Sequence, residues 1–139
     1  MAISQAFCTS AKVGFLSGTY APLTDTMKIA LYTSTATLDA TTTAYTTSNE
    51  VVGAGYTAGG NTLTGANISS ASGTAWITFA DSTWTGATIT ARGALIYDSS
   101  QSNAAIAVLD FGSDKVATAG TFIIQMPTAS SITALIRIA

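Results

Sequence analysis

Residues 87–97 read "ATITARGALIY", 98–103 "DSSQSN" and 104–111 "AAIAVLDF". Ile89, Ala91, Gly93, Leu95 and Tyr97 alternate with Thr90, Arg92, Ala94 and Ile96, the period of a strand. The six polar residues that follow are turn formers. A second apolar run of strand length then returns. This strand–turn–strand unit constrains the chain more than any other stretch, because a helix cannot use a period of two.

The same style recurs on either side. "TMKIALYT" (26–33), "NTLTGANIS" (61–69), "TAWITFA" (74–80), "TFIIQM" (121–126) and "SITALIRIA" (131–139) read as strands. Gly73 marks a turn, "TWTG" (83–86) a corner, and "GSDKVATAG" (112–120) a loop. In the last strand Ile132, Ala134, Ile136 and Ile138 share one face, opposite Thr133, Leu135 and Arg137. Long, apolar and nearly uncharged, it must be central in a sheet or paired with another copy. Ile3, Phe7, Ala11 and Phe15 stand four apart, which predicts one short amphipathic helix over 3–16 ended by Gly18, with an extended arm as the rival. The expected architecture is a single domain over 1–139. Residues 1–22 form the helix or arm, and 23–139 an antiparallel β-sandwich or jelly-roll-like fold.

Charge is scarce. Five cations and seven carboxylates serve 139 residues, and 25 threonines and 15 serines stand where charges usually do. A neutral Thr/Ser surface defends sheet edges poorly, so much of the outside is expected to be covered in the working state. A net charge of −2 with no basic cluster argues against nucleic acid. No apolar run approaches the length of a membrane helix, and the start has no basic signal-peptide head. The lone Cys8 forms no internal disulfide and reads as a small buried hydrophobe.

The sequence argues against catalysis by subtraction. The chain has no histidine and one cysteine, so the commonest general base and the usual zinc ligands are missing. No cofactor is implied. Asp110 and Asp114 could hold calcium only with help from loop carbonyls, and turn formation is the simpler reading. Tyr45, Tyr56, Trp76, Trp84 and Tyr97 could bind sugars if exposed, although core packing suits both tryptophans better.

One stretch resists these readings. "AYTTSNEVVGAGYTAGGNTLTG" (44–65) is too apolar for a solvated linker and too rich in glycine for a helix. Its glycines allow close backbone approach, and Val51, Val52 and Tyr56 offer apolar contact. The stretch is best read as a clamp-like loop that orders against a partner chain, with a self-packed surface loop as the rival.

Residues 27–65, "MKIALYTSTATLDATTTAYTTSNEVVGAGYTAGGNTLTG", and 83–127, "TWTGATITARGALIYDSSQSNAAIAVLDFGSDKVATAGTFIIQMP", resemble small capsid decoration, or cement, proteins of tailed bacteriophages. The likeness covers most of the chain beyond residue 25. It implies a sandwich on the outer face of a phage head, made in the bacterial cytoplasm and bridging major capsid subunits. A small homo-oligomer is implied, with a dimer favoured over a trimer. No catalytic residues transfer. Phe7, Phe15, Val51, Val52, Tyr56 and Leu135 are the expected contacts with capsid or sister subunits. A tail, baseplate or fibre component and a carbohydrate-binding module are the alternatives.

Overall fold

The computed structural model describes residues 2–138. Their elements are β1 (Ala6–Phe7), α1 (Thr9–Leu16), β2 (Met27–Tyr32), β3 (Asn61–Thr62), β4 (Asn67–Ala71), β5 (Thr74–Thr78), β6 (Ser82–Asp98), β7 (Ala104–Ile124) and β8 (Ile136–Ile138). The strands form two antiparallel sheets, one ordered β1-β7-β6-β2-β3 and the other β4-β5-β8. The fold is therefore an all-β sandwich with a short N-terminal helix, as the alternation predicts.

The β6–β7 hairpin is its spine. Asp98 Oδ1 accepts the Ser100 amide at 2.9 Å, and Ser102 and Asn103 take positive φ of 55° and 56°, a conformation that Asn tolerates well. Next to this turn β6 is buried on both faces from Ala94 to Asp98. The segment 33–60 covers it, with Tyr45 stacked on Tyr97 at 4.6 Å and the Val51 amide bonded to Leu31 O. Packing from both sides explains why "ALIY" is a continuous apolar run rather than an alternating one. It also buries Ala30 and Tyr32 along with Met27, Ile29 and Leu31 in β2.

Five expectations are corrected. Only Thr9–Leu16 is helical. Ile3 instead bridges Leu38, and Ala6 and Phe7 pair with Val108 and Ala107. Backbone pairing along the otherwise open side of β7 outweighs the weak helical propensity of so short a segment. Gly18 does end the helix, at φ 77°.

The expected corner at 83–86 lies inside β6 as an irregularity in its pairing between Trp84 and Ala87, with Gly86 at φ 57°. The expected loop at 112–120 lies inside β7. There Ala91 pairs with Lys115 and Gly93 with Asp110, so residues 111–114 bulge out opposite Arg92.

"NTLTGANIS" is two strands in different sheets, β3 and β4, with Gly65 at φ 66° between them. Finally, the C-terminal strand is only Ile136–Ile138, and it lies at the edge of its sheet rather than at the centre. The Ser130 hydroxyl accepts the amides of Ile132 and Thr133 and holds 130–134 in a turn, diverting these groups from a ladder.

One apolar cluster joins both sheets, running from Ile29, Leu95 and Val108 through Trp84 and Phe122 to Ile77 and Ile136. Cys8 is fully buried in it. Burial, and then the Asp39 charge, raises its thiol pKa to about 11, so it stays an unreactive thiol.

Candidate functional site: a self-locked loop and two clefts

The loop 44–65 packs against its own sheet. A Cβ on Gly60 would lie 1.8 Å from Ile29 O, and one on Gly53 would lie 2.3 Å from Thr88 O. The close approach that these glycines permit is thus made to the chain's own strands, which corrects the clamp reading.

Val51 is buried, and Tyr56 is half-buried with its hydroxyl accepting the Leu31 amide at 2.9 Å. The loop is tied down at Glu50, also buried. Its carboxylate accepts the Tyr45 hydroxyl at 2.7 Å and the Gly59 amide at 2.9 Å. Tyr97 donates to Gly59 O at 2.7 Å and Tyr32 to Thr46 O at 2.6 Å. The phenols of Tyr32, Tyr45 and Tyr56 all titrate well above the usual tyrosine range. Burial is the main cause, and the Glu50 charge adds to it. Of the predicted loop contacts only Val52 faces outward, 94% exposed.

The remaining predicted contacts fall in two clefts. Phe7 and Phe15 pack edge to face at 5.8 Å and line an apolar groove of about 210 Å³, closed by Trp76, Ile68 and Ile138 of the smaller sheet. Leu135 lies in a larger cleft of about 650 Å³, between the far half of β7 and the C-terminal residues 133–137. Alternation of the C-terminal run did flag Leu135. No local pattern could have paired it with β7, because the cleft joins segments remote in sequence. The six predicted residues thus occupy three separate places.

The aromatic platform for sugars does not form. Trp84 and Tyr97 are buried, Tyr45 and Tyr56 pack on the core, and Trp76 closes the apolar groove. Asp110 is engaged by Arg92 Nε at 3.3 Å and by the Gly112 amide at 2.9 Å, which is a turn role. Among the described residues no three His, Cys, Asp or Glu side chains converge as metal ligands. Among them, too, no helix is long and apolar enough to cross a membrane.

A carboxyl pair went unnoticed in the sequence. Asp98 is 0% exposed, and its Oδ2 has no ordinary donor. It faces Asp25, whose Oδ2 accepts the Ala21 amide at 3.0 Å. Hydrogen bonds from Thr26 N to Ser100 Oγ and from Ser99 N to Thr26 O close the same junction. Burial, and then the bond and charge of Asp25, raises the Asp98 pKa to about 6. The Ala21 amide, followed by the Asp98 carboxyl, lowers that of Asp25.

Folding therefore binds a proton at Asp98 between about pH 4, its unfolded value, and about pH 6. The associated stability is present at the acid end of that window and is lost as pH rises through about 6. Asp25 acts oppositely, adding stability that is lost only as pH falls below the ordinary carboxylate range. Asp98→Asn supplies a permanent N–H to Asp25. It is expected to raise stability at pH 8 by about 2 kcal/mol and to flatten the profile between about pH 4 and 7. Thermal unfolding across pH measures this, and a variant that keeps the wild-type slope refutes the shared proton.

Compared with known proteins, the chain matches no family model, no curated protein and no solved structure.

Proposed function

We propose that the chain is a non-enzymatic structural protein of a phage virion, a cement protein on the outer face of the head that bridges major capsid subunits. The observation that carries this reading is the nature of the surface. Leu16, Val52, Ile132 and Val116 stand largely exposed on a chain with only twelve charged side chains, five basic and seven acidic. An apolar groove and a larger cleft add further uncovered apolar surface. Such a surface suits a protein that works against a large partner.

Its rigidity suits the same role. The longest loop is locked by buried hydrogen bonds, so little ordering entropy is lost on docking. Self-association, as a dimer before a trimer, belongs to this reading.

Quantitative mass spectrometry and electron cryo-microscopy of particles from the virus whose genome encodes the chain test the proposal. Hundreds of copies on the head are expected. Tens of copies at one vertex or along the tail would make it a tail or baseplate component, and absence from the particle would overturn a virion role.

A further inference from the structure

The two strands of the spine are unequally flanked. On its outer side β7 meets β1 only at Ala107 and Val108. The Gln5 side chain then accepts the Asp110 amide at 3.3 Å, and the pairing ends there. From Lys115 to Ile124 the inner side of β7 pairs with β6, interrupted by a bulge at Thr118–Ala119 where Ala119 takes φ 48°, so that the regular run is Phe122–Ile124; among the described residues no strand lies along the outer side. Natural sheets blunt such edges with lysine, proline or a cover. Here Lys115 is the one charge in residues 115–124, no proline occurs there, and Val116 and Ile123 are exposed.

The larger cleft runs beside this edge, with Thr133–Leu135 and Arg137 lining it from the C-terminal segment. Its apolar lining includes Phe111, Phe122 and Ile124. Its charges are Asp110, Lys115 and Arg137. Asp110 is already compensated by Arg92 and the Gly112 amide. Among the described residues Lys115 reaches only the Ser113 hydroxyl, and Arg137 only the Ile132 carbonyl. The cleft is thus locally cationic on a chain whose carboxylates outnumber its cations by seven to five.

We propose that the outer edge of β7 from Lys115 to Ile124 is a strand-addition site, which takes an extended, carboxylate-bearing segment of another protein into this cleft. The backbone of the edge supplies the pairing, the apolar lining takes alternate side chains of the guest, and Lys115 and Arg137 set its direction and register. The assignment rests on the capsid reading in one respect, that the guest segment belongs to the major capsid subunit.

The test compares the full-length chain free and bound to heads of the virus that encodes it. Amide exchange at 121–124 is expected to slow at least tenfold on binding, an order-of-magnitude effect of closing an open edge. The double variant Lys115→Glu/Arg137→Glu should bind about tenfold more weakly, through loss and reversal of two exposed contacts. Ile123→Lys, an edge-blocking change at an exposed site, should also weaken binding, with the unfolding temperature of each variant checked against wild type. Wild-type protein that binds heads while the 121–124 amides exchange at their free rate overturns the assignment, as does undiminished binding by both variants. If wild-type protein fails to bind heads at all, the capsid reading falls and this assignment falls with it.

Discussion

Gly60→Ala is expected to lower stability by about 4 kcal/mol, since a Cβ there would make the closest contact of any glycine in the chain. Two costs combine. Gly60 has φ 73°, a conformation that costs an L-residue about 1 kcal/mol or more. The new Cβ would also lie 1.8 Å from Ile29 O, 2.6 Å from Ile29 C and 2.8 Å from Ala30 Cα. These are backbone atoms of a central strand and cannot swing aside, so the loop must lift. A domain of this size is stable by roughly 5–15 kcal/mol, so much of the total is at stake. Gly73→Ala is the control. It has a similar φ of 80° but open space around it, and should cost about 1 kcal/mol. Equal losses for the two variants in urea unfolding would show that only the dihedral matters and that the close approach to β2 does not.

Glu50→Ala is expected to cost about 3 kcal/mol, because it leaves the Gly59 amide and the Tyr45 hydroxyl facing a dry space with no acceptor. Tyr45→Phe removes one donor and leaves the carboxylate on the Gly59 amide, so about 1 kcal/mol is expected. The two variants also differ in dynamics. Amide exchange at Gly59 should accelerate strongly in Glu50→Ala and only slightly in Tyr45→Phe. A loss below about 1 kcal/mol for Glu50→Ala, with Gly59 still protected, would mean that the loop is held by apolar packing alone.

Both experiments probe the stretch that the sequence made conspicuous and did not explain. Its glycines announced close backbone approach, and that approach exists. Whether the approached chain was a partner or the protein itself could not be read locally. Ile29 lies 31 positions before Gly60, and Glu50 finds its acceptor role only once Tyr45 and Gly59 converge on it. The candidate contacts divide on the same ground. Phe7 and Phe15 were legible as an apolar pair at helical spacing, yet the groove they line is completed by Trp76 and Ile138. Val51 and Val52 are neighbours of one type, but the amide of Val51 bonds to Leu31 O and its side chain turns into the core, while Val52 is left outside.

What the sequence by itself determined was local: the period-two runs of β2, β5 and the hairpin, the turn at 98–103, the stop at Gly18, and a chain without histidine. These follow from side-chain alternation, turn residues and composition, all of which act within a few positions. The tertiary structure decided the rest. It drew residues 3–8 out of a helix, bridging Ile3 to Leu38 and pairing Ala6 and Phe7 with β7, and carried β7 on through a glycine-containing polar stretch, because β6 was already beside it. It shortened the C-terminal strand, where Ser130 held the backbone in a turn. It also set Asp98 beside Asp25 across 73 positions, a juxtaposition that no spacing could announce. Backbone groups bond to whatever strand or side chain the collapsed chain brings nearest, and that neighbour is a property of the whole fold.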